Sequence, residues 1–160
     1  MQGMPEPSAD HRWRHTHMGN LMSRSLARFD ARVLALMSRN EAVPLSLSNL
    51  AARGQLTAAH VQITRHLPVE GTRLTDLAAR AGITKQAMGK LVGQCEAWGL
   101  VCRASDGLDA RARTVRFTPI GQAWLCAFQT AVAQAEEEMR QAIGAEVATV
   151  IALGLEAYVA

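Results

Sequence analysis

Cysteine is scarce in this 160-residue chain: three thiols, Cys95, Cys102 and Cys126, with no Cys-x-x-Cys pair among them. An odd count without paired spacing argues against a secreted disulfide framework and fits reduced thiols. Aromatic residues reach only 4%, while alanine, leucine and arginine are abundant, a composition that leans toward helix. No stretch approaches the 18 or so uninterrupted apolar residues of a simple membrane span. The segment Met1–Asp10 carries Pro5 and Pro7 but lacks the apolar centre of a secretory signal. A soluble, cytoplasmic protein without membrane attachment is expected. Catalytic signatures are missing too: there is no Gly-x-Ser-x-Gly, no Walker loop, no His-Glu-x-x-His and no Gly-x-Gly-x-x-Gly after a strand. His15-x-His17 supplies two imidazoles, short of a metal site. No enzyme, cofactor or metal is expected.

What is present is an uneven charge. The net charge is +3, but residues 73–118 hold 8 Lys/Arg against 4 Asp/Glu, whereas 119–160 hold 1 against 5. A basic middle beside an acidic end suits a chain of which one part meets a polyanion. The length suits one domain, which buries roughly 68–70% of its unfolded surface and needs no staples.

Periodicity organises the chain. After a loose tail over 1–12, residues 13–39 read as a long helix, with Met22, Leu26, Phe29, Val33 and Leu36 recurring every three or four positions. Pro44 interrupts, and Ser46 to Arg53 forms a short helix stopped by Gly54. A further helix covers about 57–67, capped by Thr57, with Ala59, Ile63 and Leu67 as its buried stripe and Pro68 as its stop. Thr75 caps a short helix, Asp76 to Arg80, closed by Gly82, and Thr84 caps the next, 85–98, closed by Gly99. Leu100-Val101-Cys102 reads as a strand, Asp106-Gly107 as a turn and Thr114 to Thr118 as a second strand. Pro119 opens a long helix to about 142, with a stripe of Trp124, Phe128, Val132, Ala135 and Met139. After Gly144, Val147 to Tyr158 continues as a last helix.

The segment 74–121 carries the functional signal. Two short helices joined by a tight turn need a small residue where they cross and a glycine where the chain reverses, and Ala78 and Gly82 supply both. Leu74, Leu77, Met88, Leu91 and Val92 can then pack one helix on the other. This is a helix-turn-helix, whose second helix fits the major groove of duplex DNA. The hairpin behind it makes the winged form.

On these residues the chain resembles the MarR family of transcriptional regulators. Leu74-Thr-Asp-Leu-Ala is similar to the family's first motif helix, Thr84 to Trp98 to its recognition helix, and Asp109-x-Arg111 with Val115-x-Phe117-Thr118-x-x-Gly121 to its wing. The resemblance implies a homodimer with interlocked N- and C-terminal helices. It also implies a wing arginine in the minor groove and a small-molecule effector that weakens DNA binding, an aromatic one being among the candidates. Ala110 departs from the family's wing triplet, and Gly93 and Trp98 depart from its recognition helix.

The expectation is therefore a mainly α protein with a small antiparallel β-hairpin wing, a winged helix-turn-helix with N- and C-terminal dimerisation helices. One domain, 13–160, holds the DNA-binding core at 56–118 between dimerisation helices at 13–55 and 120–160. Thr84, Lys85, Gln86, Gly89 and Lys90 are the candidate major-groove residues. Gln86 can pair bidentately with adenine, and the lysines can donate to guanine or phosphate. Gly89 either admits the DNA backbone or is a tolerated small residue costing about 1 kcal/mol against alanine. Arg103, Asp109, Arg111 and Arg113 are the candidate wing and backbone contacts, Asp109 orienting an arginine and Arg111 entering a narrow minor groove. His60 and His66 either line an effector pocket or are satisfied histidines. Cys95 is read as a small core residue, with a redox-sensing thiol as the rival, and a winged helix used as a protein-interaction module is the other alternative. Binding of double-stranded DNA at a pseudo-palindrome, as a repressor, is the leading expectation.

Overall fold

The long helix expected over 13–39 forms in two pieces. In the computed structural model α1 (Trp13–Thr16) ends at His17, whose backbone turns extended (φ −72°, ψ 153°). The helix restarts as α2 (Met18–Met37) because His17 Nδ1 accepts the Asn20 N–H at 3.2 Å, capping the new N-terminus. The structure describes residues 11–106 and 109–160, and for Asp106 and 109–112 it describes backbone alone. The tail expected over 1–12 thus lies almost wholly outside the described residues, as do the side chains of Asp109 and Arg111.

Beyond Pro44, α3 (Leu45–Ala52) buries Leu47 completely, and Gly54 takes a left-handed φ of 68° after it. α4 (Ala58–His66) follows Thr57. Its buried face is His60, Val61 and Ile63, continued by Leu67 beyond its end, while Ala59, expected inside, lies off that face, exposed. The reason is the capping contact of His60, which turns that histidine inward and Ala59 aside.

The helix-turn-helix is α5 (Leu74–Arg80) and α6 (Lys85–Ala97). Leu77, Met88 and Val92 have no exposed surface, Ala78 is buried between the helices, and Gly82 reverses the chain at φ 66°. Thr84 caps α6, its Oγ1 accepting the Ala87 N–H at 3.1 Å. Thr75 caps nothing; α5 begins two residues earlier than expected, at Leu74 after Arg73.

The hairpin is longer than expected, β2 (Val101–Asp106) against β3 (Asp109–Phe117), and a third strand, β1 (Thr72–Arg73), pairs with β3 to give the antiparallel order β1-β3-β2. Register puts Val101 opposite Phe117, Arg103 opposite Val115 and Ser105 opposite Arg113, with an irregularity after Ser105. β1 has two residues and no alternation to betray it. Gly71 makes it fit, since a Cβ there would stand 2.4 Å from Arg116 Cγ and 2.8 Å from the Val115 carbonyl.

α7 (Pro119–Ile143) is tied to the sheet at its start. Thr118 Oγ1 accepts the Gly121 N–H at 3.0 Å and donates to the carbonyls of Gly99 and Leu100. Gly121 lies so close to β2 that a Cβ would fall 1.9 Å from the Leu100 oxygen. α8 (Ala145–Val159) leaves Gly144 at a bend of 118°. The core of Met37, Leu47, Leu56, Leu77, Met88, Val92 and Trp124 runs from α2 to α7. Asp30 of α2, 3% exposed, accepts a two-pronged ion pair from Arg65 of α4. Among the described residues no single helix is long and apolar enough to cross a membrane.

Candidate nucleic-acid interface

Burial of Met88, Val92 and Cys95 fixes which way α6 faces. At 100° per residue the opposite side carries Gln86, Lys90 and Gln94, one turn apart, while Lys85 lies on the same flank as Gly89, and all four of these polar residues are exposed. Thr84 is exposed at the cap. Gly89 sits on the flank toward α5, where an added Cβ would make ordinary contact with Leu74 at 3.7 Å. The glycine with open space before it is Gly93.

Antiparallel register sorts the hairpin arginines. Residues opposite one another share a face, so Arg103 and Arg113 lie on the face that Val101, Val115 and Phe117 bury lower down. Arg116 falls on the other face, beside Cys102. Arg103 reaches back to Glu96 of α6, with Nε 3.7 Å from the carboxylate, a half-exposed pair that ties the hairpin to the helix. Exposed Arg73 and Arg80 extend the basic surface around α5.

The two histidines do not share a pocket. Six residues apart on α4, they point about 120° away from each other. His60 is buried and fully engaged: Nδ1 accepts the Thr57 N–H at 3.1 Å, Nε2 lies 3.0 Å from Gln94 Oε1, and its ring is 4.8 Å from that of Trp98. The cavity beside it, lined also by Ile63, Cys95, Phe117 and Trp124 but not by His66, measures about 10 Å³, room for one water. His66 lies at the C-terminal end of α4, where partial burial and the charges of Arg65 and Arg80 hold its pKa below the ordinary value. Sequence reasoning missed both the His60–Gln94 link and the Asp30–Arg65 pair. The first was within reach, because Thr57-x-x-His60 has capping-box spacing with histidine where glutamate or glutamine is usual.

Cys95 is 1% exposed, and burial pushes its thiol up to about 12, so it holds its proton near neutrality. That removes the Cys95 version of a redox sensor. Cys102 and Cys126 are exposed. Among the described residues no three His, Cys, Asp or Glu come together as a metal site.

A three-helix unit of α4, α5 and α6 with a three-stranded wing defines a winged helix-turn-helix protein. Residues 55–112 match the model of the MarR family, and the chain has the winged helix fold of that family's transcriptional regulators. A comparison with curated protein sequences finds no match. Among solved structures, the chain is similar to the transcriptional repressor CouR bound to a 23-mer DNA duplex, with 18% identity, 96% of this chain and 100% of that one covered, and a TM-score of 0.68. CouR from Rhodococcus jostii bound to p-coumaroyl-CoA matches at 19% identity, 89% and 92% coverage and a TM-score of 0.63. A MarR family protein of Mycobacterium tuberculosis in complex with salicylic acid matches at 23%, 89% and 96%, and 0.61.

Proposed function

We propose that this chain is a sequence-specific regulator that binds double-stranded DNA as a homodimer, represses from a pseudo-palindromic operator in the cytoplasm and performs no catalysis. The observation that carries the reading is the exposed face of α6. Lys85, Gln86 and Lys90 project from its early turns, and Arg103 of the hairpin joins the helix at Glu96, near its other end. A helix of this kind enters the major groove while a basic wing follows the phosphates. Arg111 of the wing is assigned to the minor groove and Asp109 to its orientation, both from the sequence motif. The homodimer is supported by α8, where Val150, Ile151, Leu153, Leu155 and Tyr158 are each more than 40% exposed. An apolar surface of that extent calls for a cover. An aromatic small-molecule effector is supported by the ligands of the neighbours above, not by a pocket at His60 and His66.

Selection of bound duplexes from a random pool tests the reading. The expected product is an inverted repeat with half-sites about 10 base pairs apart. Affinity should fall steeply with salt, and Lys90→Ala should lower the log–log slope by about 0.9 for each phosphate that the lysine neutralises. Featureless enrichment with salt-independent binding would favour a protein-interaction module.

A further inference from the structure

The recognition helix bears a second glutamine whose amide is not at liberty. Thr57 N–H, which can only donate, lies 3.1 Å from His60 Nδ1, so that nitrogen must hold a lone pair. Neutral imidazole then carries its proton on Nε2, and Nε2–H donates to Gln94 Oε1 at 3.0 Å. The chain of donors fixes the Gln94 amide both in place and in sense, oxygen toward His60 and NH2 away from it. His60 is itself held by burial, by the capping contact and by the Trp98 ring at 4.8 Å. Gln94 remains exposed, one turn beyond Lys90 on the ridge that begins at Gln86.

We propose that Gln94 is a further DNA-contacting residue, held by the positioning residue His60 so that its NH2 donors face outward. The inference rests on the DNA-binding reading and names a contact within it. The bond from His60 turns the oxygen inward and the NH2 outward, so the amide leads with its donors although a second lone pair remains on the oxygen. It suits a lone-pair acceptor, supplied either by the O6/N7 edge of guanine or by a phosphate oxygen.

Binding titrations on the selected operator and on random duplex test this with Gln94→Ala, Gln94→Glu, His60→Gln and the double variant H60Q/Q94A. Glutamine at His60 retains the capping box, so the fold survives while the Nε2 donor is removed. Q94A should bind the operator about tenfold more weakly and random duplex as before if the acceptor is guanine, with a guanine preference vanishing at one position per half-site. If the acceptor is phosphate, the loss is equal on every sequence and the salt slope stays unchanged. Q94E should be weaker still, since it keeps the bond from His60 but presents a carboxylate to the polyanion. H60Q should reproduce the Q94A effect, and the double variant should add nothing to it. Wild-type affinity and preference in Q94A would overturn the contact. Additive losses, or an Nδ1–H tautomer of His60 by nitrogen-detected NMR, would overturn the positioning. Absence of salt-sensitive duplex binding by the wild type would instead remove the DNA reading beneath both.

Discussion

Arg65→Ala should destabilise the protein more than Asp30→Ala, although the two changes break the same ion pair. The Asp30 side chain is 4% exposed and that of Arg65 25% exposed. Removing the arginine strands a carboxylate in the seam between α2 and α4, with no counter-charge and little access to water. Breaking a buried pair in this way costs about 3–5 kcal/mol. Removing the aspartate leaves a guanidinium already at the edge of solvent, on a stem long enough to carry it outward, so the loss should fall to about 1–3 kcal/mol. Replacing both partners at once, as Asp30→Leu with Arg65→Met, should recover most of the loss, because no unpaired charge remains. Urea denaturation at one fixed protein concentration measures all four forms, and the slope of each transition checks that the same surface is exposed. Equal losses in the two single variants, or a double variant as unstable as their sum, would refute the reasoning.

Burial of Cys95 predicts a thiol inert to alkylation in the folded protein near neutral pH and reactive once the chain is unfolded; labelling followed by peptide mapping checks it. Its folded pKa of about 12 lies above the ordinary 9, so the unfolded chain loses its proton first. Stability should therefore fall as pH rises through that window, by up to about 1.4 kcal/mol per pH unit, and Cys95→Ala should flatten that part of the profile. Gly121→Ala should cost about 3 kcal/mol or prevent folding, because the methyl would overlap the Leu100 carbonyl, as a thermal melt would show. Glutamate at both Ile151 and Leu155 should shift the protein toward monomer in light scattering; an unchanged dimer would place the interface elsewhere.

The helix-turn-helix is legible in the sequence because several local signals agree there. Thr84 is a good cap, Gly82 and Gly99 stand where left-handed backbone is needed, and Leu77, Met88 and Val92 keep helical spacing. Each of these is a short-range property, readable within four residues. The break at His17 is hidden because Met18 to Met37 continues the helical pattern without interruption, and a histidine acting as a cap has no compositional signature. β1 is hidden because its pairing with β3 joins Thr72 to Val115 across 43 positions and depends on space left by Gly71. The Asp30–Arg65 pair, 35 positions apart, is of the same kind: a tertiary fact without a local trace.

The two glutamines of α6 show why residue type alone does not settle what an exposed helix face offers a partner. Gln86 and Gln94 are the same residue on the same exposed ridge, two turns apart. The Gln86 amide stands at the solvent-facing start of the helix, where it can present a donor and an acceptor together, the combination that adenine requires. Gln94 has its oxygen turned to His60 and its NH2 turned outward, so it leads with donors. One helix thereby offers two different chemical faces from one residue type, and the difference is set from α4, by the imidazole that Thr57 N–H orients. Exchanging the two environments rather than the two residues would exchange what each position accepts.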